Sequence, residues 1–479
     1  MSFKAEHESF IQDALEALEE SRLAVFAGAG LSVGAGYVDW KDLLRDVASD
    51  IKLDISKEDD LISLAQFHFN EFGGRSKLNK KILKSFTTDV EETEGHKILS
   101  RLPIDTYWTT NYDKLIETSL GKMNKIIDVK HEVQQLPNSR SKRDAVVYKM
   151  HGDVDHAHDA IITRDDYESY FRTHEPFVNA LQGDLITKMF IFIGFSFNDP
   201  NLEYALSRVR LSFGKNSGHH YCFIKEVSKD EFKSTAEYDY HRIRQKLRIN
   251  DLRKYQINPV VVSTYPEISK ILAEIERRYK RKSIFISGSA EEYGDWGRDR
   301  AVKLIHKLTG KLVSKDYRIV NGFGWGIGSA VINGALEQVY SNPRRYSESQ
   351  LIVKPFPQFA TGDKALPELW ADYRSRMISL TGIAVFVFGN KLESDEKTMT
   401  HAGGVKKEFE IAINQGCIPI PIGSTGYMAL ELWNMVVGRY KDFYGNSPEL
   451  KSDLESLKDE MNAEKVIQTV VRIVERINS

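Results

Sequence analysis

The sequence has 479 residues, 41% hydrophobic and 11% aromatic, with 66 Lys and Arg against 68 Asp and Glu for a formal charge of -2. That length exceeds what one hydrophobic core sustains, so two domains are expected, and the apolar content excludes long disordered stretches. The balanced charge excludes a polyanion-binding footprint, and two cysteines, Cys222 and Cys417, are too few for a four-cysteine zinc module or a disulfide scaffold.

The opening segment interleaves acids with apolar residues, unlike a secretory leader. Phe10, Ala14 and Leu18, with Ile11 and Leu15, fall at helical spacing and predict an amphipathic helix that packs on the core or against a second subunit. Strand patterns follow at Leu23 to Ala27, Thr106 to Thr109, Ala145 to Met150, Phe190 to Gly194 and Tyr221 to Ile224, separated by segments long enough for helices. The longest apolar run, Met189 to Phe197, suits a buried strand and is too short for a membrane span. A cytoplasmic protein without a membrane anchor is therefore expected.

The run EIERRYKRKS, residues 274 to 283, reads as a solvated helix end at a junction, and a new strand-and-glycine pattern begins directly after it. The boundary is drawn there, giving domains 1 to 280 and 281 to 479. The second domain has strand patterns at Ile284 to Ile286, Arg318 to Val320, Ile383 to Phe388 and Cys417 to Ile422. The predicted fold class is α/β, with two doubly wound, Rossmann-like domains whose ligands sit at the carboxyl ends of strands.

Four motifs of the first half lie at such ends. Gly28, Ala29, Gly30 and Ser32 follow the first strand, Thr110, Asn111 and Asp113 the second, His151 ends VVYKM, and Gly194, Ser196 and Asp199 end MFIFI. A glycine-rich turn serves anion binding or packing, and Asp113 serves a ligand or a helix cap. Together GAGLS, GYVDWK, TTNYD, HGD and GFSFND resemble the sirtuin fingerprint over roughly residues 1 to 275.

That resemblance implies NAD binding. Gly28, Ala29, Gly30 and Ser32 would hold the pyrophosphate, Asp39 and Trp40 would border the nicotinamide, Thr110 and Asp113 would line the NAD site, and Gly194, Ser196 and Asp199 would close the ribose and adenine side. Asn111 would position water or ribose, and His151 would be the general base. The chain departs from sirtuin deacylases in lacking the zinc cysteines and in carrying Val38 and Lys41 where proline and arginine are usual. NAD is thus expected as a substrate, without a metal, and protein deacylation is the alternative.

In the second half, Gly288 and Ser289, the loop Asn321 to Gly328 with Trp325, and Gly403-Gly404 followed by Glu408 are glycine loops suited to phosphate and ribose. Arg374 and Lys391 supply cations. This pattern resembles the SLOG family of nucleotide-ligand sensors. The pairing of the two halves resembles the NADase effectors of Thoeris anti-phage defence. It implies NAD hydrolysis switched on by a cyclic ADP-ribose isomer that a TIR-domain partner makes, with Gly288, Ser289, Trp325, Arg374, Lys391, Gly404 and Glu408 binding the signal, in a homotetramer without nucleic acid. A non-catalytic nucleotide-binding scaffold is the remaining alternative.

Overall fold

The computed structural model describes residues 3–87, 90–214, 218–359, 365–393 and 397–478. The chain forms two compact units, Met1–Glu276 and Arg277–Ser479, and the division falls inside the helix Tyr265–Arg281.

The first unit is built on seven strands, β1 (Leu23–Ala27), β2 (Thr106–Thr109), β3 (Ile127–Lys130), β4 (Ala145–Lys149), β5 (Met189–Ile193), β6 (His220–Lys225) and β7 (Ile257–Val262). They lie in the order β3-β4-β2-β1-β5-β6-β7, every neighbouring pair parallel. Parallel strands covered by helices on both faces carry unbroken apolar runs, and every residue of β1 (LAVFA) and β5 (MFIFI) is buried. The helix Ala5–Glu19 forms as its spacing predicts, burying Phe10, Ile11, Ala14 and Leu18, while Leu15 is half-buried. Phe10 packs on Tyr221 and Phe223 of β6, with ring centroids 4.9 and 5.4 Å away, so the helix serves the core.

Two strands of this sheet escape the sequence pattern. In β3 the buried positions are Asp128 and Lys130, whose charges neutralise each other across 2.9 Å, so the run carries no apolar alternation. In β7, Pro259 lacks the N–H that a central strand must donate, and the strand lies at the sheet edge, where such a residue is tolerated.

The second unit holds β8 (Ser283–Ser289), β9 (Arg318–Asn321), β10 (Leu351–Val353), β11 (Ile383–Phe388) and β14 (Ile418–Pro421), again all parallel, in the order β10-β9-β8-β11-β14. A short antiparallel hairpin of β12 (Asn390–Leu392) and β13 (Met399–His401) follows β11, and the sequence reading has neither it nor the three-residue edge strand β10. The helix Ala463–Asn478 closes the unit, burying Val466, Ile467, Val470, Val471, Ile473, Val474 and Ile477. Among the described residues no helix is long and apolar enough to cross a membrane. Both cysteines are buried thiols, one in each unit.

Candidate functional site

In the first sheet β4, β2, β1 and β5 are consecutive neighbours, so their carboxyl ends bring the four motifs into one crevice where the connections diverge. The loop after β1 and the end of β5 meet backbone to backbone. Gly28 N donates to Ile193 O and Gly30 N to Gly194 O, each over 2.9 Å. A Cβ on Gly28 would lie 2.4 Å from Gly194 O, and one on Gly194, whose φ is +67°, would lie 2.2 Å from Leu31 N. Gly28 and Gly30 thus direct their N–H groups to the β5 end, and the three glycines permit that close approach. Ala29 is half-buried and Gly30 exposed above it.

Asn111 enters from the end of β2. Thr109 Oγ1 donates to Ala27 O over 2.9 Å and accepts from Asn111 N over 3.0 Å, holding the turn down. Asn111 Nδ2 then donates to Gly28 O (3.1 Å) and to the buried Ser32 Oγ (3.2 Å), so the amide orientation is set and its carbonyl edge turns away from both partners. Asp113 accepts from Leu115 N over 3.0 Å, and its second carboxylate oxygen is buried without a hydrogen-bond partner among the described residues. Thr110 is half-buried beside it.

His151, at the end of β4, is 3% exposed and stands edge-on to Tyr167 with centroids 5.4 Å apart. Its Nε2 lies 3.1 Å from Asp199 Oδ2, off the line of a hydrogen bond but well within an ion contact. Asp199 Oδ1 accepts from Asn201 N and Leu202 N, both over 3.0 Å, at the start of the helix Pro200–Phe213. Burial raises the Asp199 pKa, but the field of His151 and these two N–H groups outweigh it and hold the carboxyl below its ordinary range. Asp199, expected at the ribose and adenine side, therefore stands directly beside His151.

The remaining first-half candidates separate. Asp39 is exposed and caps the short helix Trp40–Leu43 by accepting from Asp42 N over 2.8 Å, so its carboxylate is engaged locally. Trp40 is half-buried, its ring centroid 6.4 Å from that of Tyr112, next to Asn111. Ser196 is exposed, in the loop where Phe197 adopts a left-handed φ of +56°.

One described cluster has metal-binding residue types, His131, Glu132 and His156, whose ligand atoms lie within 4.8 Å of one another. Gln135 Oε1 accepts from the backbone N–H groups of His131 and Glu132 over 2.8 and 3.2 Å, so its amide nitrogen is the group facing His131 Nε2 at 3.0 Å. His131 Nε2 accepts from that amide, which places the proton of the neutral ring on Nδ1.

Two buried histidines set an acid limit on this unit. Burial depresses His96 to about 4 against the opposing fields of Asp113 and Glu92. Burial, then His219, depresses His220 to about 3, and His220 Nδ1 accepts from Phe190 N over 3.2 Å. The unfolded chain, with histidine near 6.5, binds more protons over that interval. Stability from these rings is thus complete above pH 6.5 and drains as pH falls towards 4 and then 3, by about 2 kcal/mol per ring at pH 5. Thermal melts at pH 7.5 and 5 are expected to show this loss, and His96→Gln to show a smaller one; an identical pH slope in the variant would rule it out.

In the second unit the sheet brings together Arg374, Gly404 and Glu408. Glu408, on the helix Gly403–Asn414, accepts from Ser287 Oγ over 2.6 Å, and Arg374 Nε lies 3.4 Å from its other oxygen. Burial pushes the Glu408 carboxyl above its ordinary range against the pull of Ser287 and Arg374. The Arg374 guanidinium lies 4.7 Å from the Phe356 ring centroid, and a Cβ on Gly404 would sit 3.2 Å from its terminal nitrogen. Gly288 and Ser289 end β8; Ser289 Oγ donates to Asn390 O over 3.0 Å, tying down the start of the hairpin. Lys391 is exposed on that hairpin, and Trp325 is 72% exposed on its glycine loop.

A family model described as a SIR2-like domain matches residues 105–245, and one described as the Sir2- and TIR-associating SLOG family matches residues 267–477. Across the whole chain, the NAD(+) hydrolase ThsA of Bacillus cereus (strain MSX-D12) is 45% identical over 475 residues, covering 98% of each protein. The chain belongs to the ThsA family. The ThsA of Cytobacillus dafuensis is 44% identical, covering 99% of this chain and 97% of its own, and that of Acinetobacter baumannii (strain 532279) is 42% identical, covering 96% of each.

In this ThsA-family chain, residues given no role by the sequence motifs tie each of the two candidate sites together internally. They are Lys149, Glu117 and Asp153 beneath the first, and Ser287 and Phe356 beside the second. A lysine closing the apolar strand AVVYK was the available signal, since a charge there needs a buried partner.

Proposed function

We propose that this chain hydrolyses NAD+ at the bond between nicotinamide and ribose, and that a cyclic ADP-ribose isomer bound to the second unit switches the reaction on. The observation that carries the first part is the buried pair of Asn111 and His151 at the ends of the adjacent strands β2 and β4, with Asp199 3.1 Å from the imidazole. The names of the full-length relatives supply the substrate.

Nicotinamide leaves with the electron pair of the broken bond, which neutralises its ring charge, so the protein must steady the ribosyl cation and aim a nucleophile. The Asn111 carbonyl, oriented by the two bonds of its amide nitrogen, positions the attacking water. Oxygen bonds to the anomeric carbon, and the water proton passes to His151, whose imidazolium the Asp199 carboxylate stabilises. ADP-ribose, nicotinamide and a proton result.

Arg374, held over the Phe356 ring and paired with Glu408, supports the second part, since it offers a charged planar fork to a phosphate of the signal molecule. Gly288, Ser289, Trp325, Lys391 and Gly404 complete the assigned pocket. Such a ligand acts by favouring the active arrangement, which a depleting enzyme needs to be silent at rest. Self-association into a homotetramer fits the helix Thr235–Leu252, which leaves Tyr240, Ile243 and Leu247 at 60%, 53% and 64% exposure on one face.

The test is nicotinamide release from NAD+ by the purified chain with and without a panel of cyclic ADP-ribose isomers. Release that rises with one isomer is expected. No release with any of them would return the chain to the scaffold or, if an acyl peptide is consumed instead, to the deacylase reading.

A further inference from the structure

Beneath the crevice a single ammonium group links the loops that carry Asn111 and His151, and the inference drawn from it rests on the function proposed above. Lys149, the last residue of β4, has a fully buried side chain. Its Nζ donates to Tyr112 O over 3.2 Å and to Asp113 O over 2.5 Å, and lies 3.0 Å from Glu117 Oε1 and 2.7 Å from Asp153 Oδ2. Tyr112 and Asp113 directly follow Asn111, while Lys149 and Asp153 bracket His151.

Removing an ammonium from water costs several kcal/mol, and a methionine of similar length would fill the same space without that cost. The expense is recovered only where geometry demands a polar junction, and a backbone carbonyl can be tied down at depth only by a donor. Burial works against the charge, but Glu117 and Asp153 outweigh it and keep Lys149 more firmly protonated than an ordinary lysine. Asp153 shares the lock: burial raises it, Lys149 pulls it below its ordinary range, and it accepts from Asp155 N over 2.9 Å.

We infer that Lys149 is a positioning residue for NAD+ cleavage, holding the Asn111 loop and the His151 loop at one fixed separation without touching the substrate. Misplacing a reacting group by about 1 Å costs on the order of 100-fold in rate while substrate contacts elsewhere persist. The effect belongs in kcat rather than in binding.

The experiment compares wild type with Lys149→Met and with Lys149→Met/Glu117→Gln in the full chain. The double variant removes the carboxylate that the single one strands, and Asp153 retains Lys114 at 3.8 Å. Each is measured for activator-stimulated kcat and KM of nicotinamide release, and for backbone hydrogen exchange. The expected result is a folded double variant with kcat reduced roughly 100-fold and KM within about threefold of wild type. Exchange should be at least about tenfold faster in peptides covering 110–115 and 150–155, and unchanged in β5 to β7. A folded variant with wild-type kcat, or with unaltered exchange at the two loops, overturns the inference, as does failure of both variants to fold, which would make the lysine a fold requirement. If wild type itself releases no nicotinamide, the proposed function fails, while the exchange comparison still decides whether Lys149 couples the loops.

Discussion

Replacing Asn111 or His151 with alanine is expected to remove nearly all nicotinamide release from a protein that remains folded. The Asn111 amide donates to Gly28 O and Ser32 Oγ, so its carbonyl is the group left to aim water at the anomeric carbon. Deleting one preorganised polar group of this kind costs on the order of 10^2- to 10^3-fold in kcat. Loss of the general base at His151 costs about 10^2- to 10^4-fold. The two act on the same water, so the double variant should be little worse than the poorer single one. The variants differ in stability: Asn111→Ala forfeits two buried hydrogen bonds of about 1 kcal/mol each, whereas His151→Ala leaves Asp199 buried beside an empty space. Steady-state kinetics with melting curves on the same preparations check this. Either variant turning over at the wild-type rate would end the assignment.

If the proposed switch operates, Arg374→Ala is expected to raise the half-maximal concentration of the cyclic ADP-ribose isomer proposed as activator by roughly 100-fold, the worth of a charge-assisted contact of about 3 kcal/mol. Its Nε lies towards Glu408 and its guanidinium carbon stands over the Phe356 ring, and the terminal nitrogens are the donors offered to a phosphate. Glu408→Gln is the milder change, because burial already favours the neutral carboxyl and the amide oxygen can still accept from Ser287. Its expected shift is smaller than that of Arg374→Ala. Titration calorimetry of the isomer, run beside the dose response of nicotinamide release, separates weaker binding from weaker coupling, since a ligand shifts a conformational equilibrium only by its differential affinity. An unchanged half-maximal concentration in Arg374→Ala would remove this residue from the signal pocket.

Much of this chain could be read directly from residue order. Apolar runs such as LAVFA and MFIFI announce strands buried on both faces, and the motifs that follow them mark the ends at which a parallel sheet keeps its ligands. Two strands of the first sheet resisted for different reasons. Lys130 and Asp128 cancel each other inside β3, and Pro259 is acceptable in β7 only because that strand is an edge.

The roles of individual residues were less legible, because they depend on which backbone lies opposite. The glycines at 28 and 30 read as a phosphate loop, yet the carbonyls of Ile193 and Gly194 take their N–H groups. Asp199 read as a ribose contact, yet it faces His151, 48 positions earlier in the chain. Lys149 carries no motif at all, and its meaning comes from carbonyls 36 and 37 positions away.

What the sequence determined by itself is therefore the apolar central strands, the fold class and the short list of chemical groups, because burial period and turn chemistry act between near neighbours. Only the tertiary structure decided the adjacency of β4, β2, β1 and β5 and the pairings of Asp199, Lys149 and Arg374. Those contacts join residues far apart in the chain, and a buried charge or a close backbone approach becomes favourable only once the crossovers have brought its partner within about 3 Å.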